Sequence, residues 1–208
     1  MSNITRELFF SVPIFYFDLD NSNEINLKLK NLIFDWKDKD KGVERSNVLG
    51  WHSKDDMHTK NYFNFFTDEI NNIQNEIHLT EEYANNTELR VENMWANINH
   101  KYSYNRFHTH PGSLWSGVYY VQSPPNCGSI LFKLVDRDLY GTPTYEKDNI
   151  DRQTHQWQTI EYKPIEGRVI FFPSWLGHEV EQNLTDVEGE NGNRISISFN
   201  TIQKIKET

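Results

Sequence analysis

Cysteine is almost absent from this sequence, because Cys127 stands alone among 208 residues. A single thiol excludes an internal disulfide framework and suits a reducing compartment. Positive charge is also scarce. Lys and Arg total 21 against 30 Asp and Glu, which gives a formal net charge of −9. Phosphate binding needs clustered Lys and Arg, so this balance argues against a nucleic-acid binder or a membrane-surface binder.

Long apolar runs are missing as well. No stretch approaches the roughly 20 residues that a membrane-spanning helix needs. Residues 1 to 7 do not show the charged-then-apolar pattern of a signal peptide. No linker rich in Pro, Gly or Ser divides the chain. We therefore expect a cytoplasmic protein that folds as a single domain over residues 1 to 208.

The order of the predicted elements places helices before most of the strands. An apolar stretch at residues 8 to 19, interrupted by Pro13, predicts an edge strand. Apolar residues at helical spacing predict helices over 24 to 37 and over 63 to 77. Beyond Thr87, short runs of β-forming residues alternate with turn signals and predict about eight antiparallel strands. This order favours an α+β domain whose β part is a sandwich or a squashed barrel of jelly-roll type.

Two segments of this β region carry further predictions. In the first predicted strand after Thr87, every second side chain is expected to lie on the same face. The side chains of one face are those of Leu89, Val91, Asn93, Trp95, Asn97 and Asn99. The polar segment from 136 to 156 is expected to be a long loop, and loops of this length are often functional lids.

The most informative short stretch is His108-Thr109-His110, which is followed by Pro111 and Gly112. Side chains two residues apart on an extended strand point to the same face, so the two imidazoles would converge on one point. Imidazole nitrogen is a good ligand for iron, zinc, copper or nickel. Two strand histidines also occur together by chance, so this pair alone is weak evidence for a metal site.

A third histidine and an arginine strengthen the case. Residues 167 to 180 predict a strand, a tight turn and a second strand that opens with His178, a geometry that can return this imidazole to the first pair. Residues 194 to 200 then alternate strictly, with Arg194, Ser196, Ser198 and Asn200 on one face. In a barrel that face can point into the lumen, where a buried arginine needs an anion, and its fork matches a carboxylate.

Taken together, these motifs resemble the double-stranded β-helix core of the Fe(II)/2-oxoglutarate-dependent oxygenases. The resemblance rests on His108-x-His110, the strand Ser116-Gly117-Val118-Tyr119-Tyr120, Phe172-Pro173-Ser174-x-x-x-His178 and Arg194-x-Ser196. It is closest to the group described as "putative 2OG-Fe(II) oxygenase", distantly related to prolyl hydroxylases. It implies a double-stranded β-helix (jelly-roll, cupin-like) core over 87 to 204, supported by a strand and helices in residues 1 to 86.

The resemblance also implies roles for individual residues. His108, His110 and His178 would be the catalytic metal ligands, with Fe(II) as the metal. Arg194 would pair with the far carboxylate of 2-oxoglutarate beside the hydroxyl of Ser196. Tyr120 or Tyr119 could add a hydrogen bond to the co-substrate, and the side-chain amides of Asn97, Asn99 and Asn105 are further candidates. The expected reaction is hydroxylation of a substrate with release of succinate and carbon dioxide.

The departure from the family pattern is at His110, because most members have Asp or Glu there, which completes a triad of two histidines and one carboxylate. His110 can still bind the metal, it can leave that position to water, or the site can hold another metal. Asp136 and Asp138 are less favoured sources of a carboxylate.

Other candidate residues receive weaker assignments. Trp95 and Trp115 could wall the pocket, although aromatic rings on strands usually belong to the core. A third group of candidates is expected to be solvated, comprising His52, His58, His78, His100 and His155. Cys127 lacks the partnering histidine that a catalytic thiol would need.

Two alternatives to the oxygenase remain open from the sequence. One is a three-histidine, cupin-type metal dioxygenase without 2-oxoglutarate, and the other is a non-enzymatic jelly-roll binding module. We expect a small-molecule or peptide substrate and neither a nucleic-acid nor a membrane partner. The apolar strand near the N-terminus could pair with a second copy and form a homodimer.

Overall fold

The computed structural model describes residues 10–134 and 156–206. Two α-helices, α1 (Ser22–Lys37) and α2 (Asn64–Thr80), both fall where the apolar spacing predicts them. Short 3₁₀ helices lie at Met57–Thr59, Asn61–Phe63 and Gly189–Gly192. Within the described residues, no helix combines the length and the apolar character needed to cross a membrane.

Eleven strands are described, and every pair of named strands is antiparallel. In chain order they are β1 (Phe15–Asp18), β2 (Asn47–Val48), β3 (Trp51–His52), β4 (Thr87–Asn99), β5 (Tyr104–His108), β6 (Trp115–Gln122), β7 (Ile130–Lys133), β8 (Thr159–Tyr162), β9 (Arg168–Pro173), β10 (Gly177–Val180) and β11 (Arg194–Ile205).

These strands form two sheets. The major sheet has the order β1-β9-β6-β11-β4-β3, and the minor sheet has the order β2-β5-β10-β7-β8. β1 lies at an edge of the major sheet, as Pro13 predicts. The predicted lid over 136 to 156 lies, except for Gln156, outside the described residues.

The major sheet has a buried apolar face and a polar face. The apolar side chains of β11, namely Ile195, Ile197 and Phe199, lie in one core with the stripes of α1 and α2. A smaller second core lies between the sheets and includes Val118, Phe132, Ile170 and Phe172. The helices therefore close the outer face of the major sheet, and its polar side chains lie on the face turned toward the minor sheet, beside the second core.

One predicted face is wrong in its first two residues. The register of β4 against β11 pairs Asn93 with Asn200 and Val91 with Thr201, so Glu92 is an extra residue in β4. Such a bulge shifts the alternation by one position. Leu89 and Val91 consequently belong to the helix-side core, whereas Asn93 lines a cavity on the opposite face.

Candidate active site

Three imidazoles converge where the minor sheet meets the major sheet. His108 ends β5 and lies directly opposite His178 of β10 in the strand register. His110 lies two residues beyond β5, where its backbone N–H donates to the carbonyl of Ser174 at 2.9 Å. The ring centroids are 4.3 Å apart for His108 and His178, 5.0 Å for His108 and His110, and 5.1 Å for His110 and His178. One nitrogen from each ring lies within 4.8 Å of the others.

Burial keeps these rings neutral. It lowers the pKa of His178 to about 3 and that of His110 to about 4, and the like charge of His108 adds to both effects. Burial also lowers the pKa of His108. The Nδ1 atom of His108 lies 2.6 Å from the carbonyl of Arg106, and that of His178 lies 3.0 Å from the carbonyl of Leu176. These carbonyls assign the ring proton to Nδ1 and make Nε2 the nitrogen that can bind a metal. The Nε2 atom of His108 also lies 3.5 Å from the hydroxyl of Ser46, a long contact that a metal would replace.

Arg194 lies on the polar face of the major sheet. Its cross-strand neighbour in β4 is Asn99, and the next row toward the imidazoles places Ser196 between Asn97 of β4 and Tyr120 of β6. The side chain of Arg194 is 1% exposed. Strict alternation along β11 thus delivers one buried guanidinium and a row of hydroxyl and amide groups to the same interior surface.

The guanidinium of Arg194 uses only part of its donor capacity. Its Nη1 donates to the carbonyls of Cys127, Gly128 and Glu181. Its Nη2 is buried and has no hydrogen-bond partner among the described residues. Burial lowers the pKa of this guanidinium because the charge is withdrawn from water. A buried cation with an unused donor fits an anionic ligand.

Two cavities meet at the imidazoles. The inner cavity, about 50 Å³, is narrow and is lined by the three histidines together with Arg194 and its row of polar neighbours. The outer cleft, about 660 Å³, is the size of an ordinary small-molecule site. Four residues line both, namely Ser46, Trp95, His108 and His110. A metal held by the imidazoles would therefore lie between a confined chamber and an open cleft.

A buried chain of hydrogen bonds supports the segment around His110. The hydroxyl of Ser116 lies 2.8 Å from that of Ser174 and donates to the Oδ1 atom of Asn200 at 2.7 Å. The amide of Asn200 in turn donates to Asn93 at 2.8 Å. Because Ser174 also accepts the backbone N–H of His110, this chain connects the position of that imidazole to three strands of the major sheet.

All seven predicted site residues line the inner cavity, namely Asn97, His108, His110, Tyr120, His178, Arg194 and Ser196. Their roles as ligands and binding groups remain predictions. Asn99, Asn105 and Trp95 line it too. Tyr119 faces the helices instead, where its hydroxyl donates to Asn26 at 2.7 Å. Trp115 is also part of the helix-side core and not of the site.

Sequence reasoning missed several residues around the site. His52, expected to be solvated, is 6% exposed, stacks on Trp95 and lines the outer cleft. His78 is buried as well, on α2. The outer cleft also contains Arg45, Lys54 and Arg106. Neither spacing nor flanking residues marks them in the sequence, because strand pairing brings them there. Asp136 and Asp138, the alternative carboxylates, lie outside the described residues.

This donor set suits iron and 2-oxoglutarate. Three neutral imidazole nitrogens suit a borderline transition metal and leave coordination positions open. The unpartnered Nη2 of Arg194 and the hydroxyls of Ser196 and Tyr120, which line the same chamber, suit the carboxylate of a small dicarboxylic acid.

Comparisons with known proteins agree with this geometry. The family model described as "Putative 2OG-Fe(II) oxygenase" matches residues 93–200. No curated protein matches the sequence. Among solved structures, the chain is similar to a Pseudomonas putida prolyl-4-hydroxylase, with 12% identity, a TM-score of 0.61, and coverage of 92% of this chain and 93% of that one.

Two further similar structures contain ligands. The epimerase SnoN from nogalamycin biosynthesis, solved with Fe3+, alpha ketoglutarate and nogalamycin RO, is 12% identical with a TM-score of 0.62, covering 93% of this chain and 81% of that one. HygX from Streptomyces hygroscopicus, solved with nickel and 2-oxoglutarate, is 14% identical with a TM-score of 0.56, covering 91% and 82%.

At these low sequence identities, the structural likeness establishes only the double-stranded β-helix fold. The evidence for the activity is the match to the family model. That model spans more than half of the chain and includes all the predicted metal ligands. The chain therefore belongs to the 2OG-Fe(II) oxygenase family, the non-heme iron dioxygenases that depend on 2-oxoglutarate.

Proposed function

We propose that His108, His110 and His178 bind the catalytic Fe(II), and that Arg194, Ser196, Tyr120 and Asn97 bind 2-oxoglutarate. One observation carries this assignment. The same narrow cavity is lined by the three imidazoles and by Arg194, whose buried Nη2 has no partner among the described residues. A dicarboxylic acid can pair with the guanidinium at one end and reach the metal ligands at the other.

When bound, iron and 2-oxoglutarate would supply the chemistry by which dioxygen, the oxidant, gives one oxygen atom to the substrate as a hydroxyl and the other to succinate, with release of carbon dioxide. The protein supplies placement. The fork of Arg194 holds the far carboxylate, and the hydroxyl of Tyr120, 2% exposed as a residue, lies on the same wall. The ring of Phe172 packs edge-on against His178 at 4.7 Å and shields that imidazole from water.

His110 is the third ligand in this proposal, although a carboxylate is usual at its position. Its ring is half-buried and neutral and lies within reach of the other two. The backbone bond to Ser174 orients its segment toward them. A neutral ligand leaves the metal centre one negative charge short of the usual triad, which is expected to weaken the binding of a divalent cation.

The wider setting of this activity is also proposed. We expect a small-molecule or peptide substrate, with neither nucleic acid nor membrane as partner. A cytoplasmic location fits the single free cysteine. A homodimer could form at β1, an edge strand on which Tyr16 and Phe17 are exposed. The division into supporting residues 1 to 86 and a catalytic core over 87 to 204 remains part of the proposal.

The test is to incubate the purified protein with Fe(II), 2-oxoglutarate and oxygen, and to measure bound iron and released succinate. We expect stoichiometric iron and slow succinate release without added substrate. His178→Ala should lose both, whereas His100→Ala, which removes an exposed imidazole outside both cavities, should retain both. Iron binding without any affinity for 2-oxoglutarate would contradict the proposal.

A further inference from the structure

The outer cleft differs in charge from the rest of the protein. The whole chain carries a formal charge of −9, yet the charged residues of this cleft are three cations, Arg45, Lys54 and Arg106, and one carboxylate, Asp55. His52 adds no charge, because burial lowers its pKa and the positive charge of Arg45 lowers it further. The cleft beside the proposed iron site is therefore positive on a negative protein.

Among the described residues, the side chains of the cleft cations have no partners. Five arginines are described, and two of them pair with carboxylates, Arg90 with Glu88 and Arg168 with Asp18. Arg194 donates to backbone carbonyls. The remaining two, Arg45 and Arg106, both line the outer cleft, and neither side chain has an ion pair or hydrogen bond to another described residue.

The backbone positions these cations on two sides of the cleft. The backbone N–H of Arg106 donates to the carbonyl of Ser46 at 2.9 Å, which pins the segment of Arg45 against β5. On the other side, Lys54 follows Ser53, whose backbone N–H donates to Ala96 of β4 at 3.0 Å. Their side chains are exposed, so a ligand entering the cleft can reach them without displacing protein groups.

The distance to the proposed metal is short. Arg106 precedes His108 by two residues on β5, so their Cα atoms lie within about 7 Å of each other, and both residues line the outer cleft. A group bound by Arg106 would keep its neighbouring C–H bonds close to the metal. In addition, three neutral histidines leave the proposed centre one negative charge short, which favours an anion nearby.

We propose that the substrate is a small molecule with a carboxylate or phosphate group, held in the outer cleft by Arg45, Lys54 and Arg106. This inference rests on the proposed function of the same site. Guanidinium groups match the geometry of both anions, and the walls formed by Trp95 and Phe107, the latter 42% exposed, leave room for an apolar body.

The experiment compares matched anionic and neutral probes on the chain loaded with Fe(II) and 2-oxoglutarate without oxygen. Calorimetry would measure the binding of phenylacetate against phenylacetamide, and of phenyl phosphate against phenol. We expect each anion to bind more tightly than its neutral partner, and added salt to reduce the difference. The arm with the larger difference identifies the anion class. Equal binding of the anion and the neutral compound in both arms would overturn the inference.

Variants locate the binding site. Arg45→Gln, Lys54→Gln and Arg106→Gln should each weaken anion binding about three- to tenfold, the range between an exposed ion pair and a charged hydrogen bond. Asp55→Asn should strengthen it. Lys163→Gln, which removes an exposed lysine outside this cleft, is the matched control and should change nothing. Equal effects of Lys163→Gln and Arg106→Gln would overturn the assignment, because they would report net charge alone.

Two further readouts keep this inference separate from the proposed function. Equilibrium dialysis of labelled 2-oxoglutarate must show that the probe does not displace it, because displacement would place the probe in the inner cavity and overturn the inference. The same titration on the metal-free chain tests the cleft even if iron does not bind. An oligonucleotide that binds more tightly than phenyl phosphate and is released by Arg106→Gln would overturn the small-molecule assignment.

Discussion

Replacing Arg194 with lysine separates the two tasks that the structure places on this side chain. Its Nη1 holds three backbone carbonyls, while its Nη2 has no described partner and lines the inner cavity. Arg194→Ala would leave the carbonyls unsatisfied, at about 1–3 kcal/mol for each buried group. That loss is a large part of a typical folding free energy of about 5–15 kcal/mol, so an alanine variant confuses unfolding with lost binding.

Lysine retains the charge and can still donate to the carbonyls, but it lacks the planar fork whose second nitrogen, Nη2, remains for a carboxylate. The loss of one hydrogen bond to a charged group costs about 1.5–3 kcal/mol. At 1.4 kcal/mol for each factor of ten, the dissociation constant of 2-oxoglutarate should rise roughly 10- to 150-fold. Iron affinity should not change, because no metal ligand is altered.

Calorimetry with 2-oxoglutarate under anaerobic conditions, together with iron analysis and a thermal melt, measures all three quantities. Arg168→Lys is the control, because Arg168 pairs with Asp18 at the edge strand and lines neither cavity. Unchanged 2-oxoglutarate affinity in Arg194→Lys would refute the role of the fork. A parallel loss of iron would show that Arg194 supports the whole site and does not act on the co-substrate alone.

Further outcomes are expected at the imidazoles and around them. His110→Ala should lower iron affinity and His110→Asp should raise it, as measured by metal titration; equal affinity in all three proteins would show that this residue is not a ligand. In the metal-free protein, burial lowers the pKa of His110 from 6.5 to about 4, so its contribution to stability is complete above pH 6.5 and is lost as the pH falls toward 4. At 1.36 kcal/mol per pH unit, the free energy of unfolding should fall by about 3 kcal/mol over this range. Urea denaturation of the metal-free protein at pH 7.5 and 4.5 measures this change, and equal unfolding free energies at the two pH values would contradict the prediction. Ser116→Ala breaks the bonds to Ser174 and Asn200 and should destabilise the protein by about 1–3 kcal/mol in urea denaturation; an unchanged midpoint would contradict this. Gly117→Ala would drive a Cβ into the ring of Phe199 and should cost about 1–3 kcal/mol in a thermal melt, whereas an unchanged melting temperature would show that the ring moves freely.

Local periodicity grouped part of the lining of the inner cavity, and the family resemblance supplied the choice of the interior face. Polar and apolar side chains alternate strictly over residues 194 to 200, so Arg194 and Ser196 share one face of the strand. Once that face is taken as interior, both residues are expected in the same cavity, and both line it. The same parity distinguishes Tyr120 from Tyr119. Tyr120 pairs with Ser196 across the sheet and shares its face, whereas Tyr119 pairs with Ile197 and faces the helices. The choice between the tyrosines was therefore available from the sequence once the partner strand was known.

The outer cleft could not be predicted, because non-local pairing builds it. His52 is placed by the pairing of β3 with β4, where it lies opposite Asn97, and Arg45 lies next to the pairing of β2 with β5. β2 and β3 have only two residues each, too few for a periodic signal. The extra residue Glu92 likewise moves the side chains before it to the opposite face of β4 from the one predicted. The alternation of apolar and polar residues does not reveal a bulge, so nothing in the sequence indicated this change.

The histidine at position 110 links the two cavities electrostatically. With a carboxylate among the three ligands, Fe(II) and doubly charged 2-oxoglutarate would leave a net charge of minus one at the metal, and an anionic substrate would be repelled. With the proposed neutral ligands that charge is zero, so the repulsion disappears while the attraction of Arg45, Lys54 and Arg106 remains. His110→Asp should therefore tighten iron binding and weaken anion binding in the outer cleft in the same protein. A negative charge at the metal changes the two affinities in opposite directions, whereas a loss of packing would weaken both.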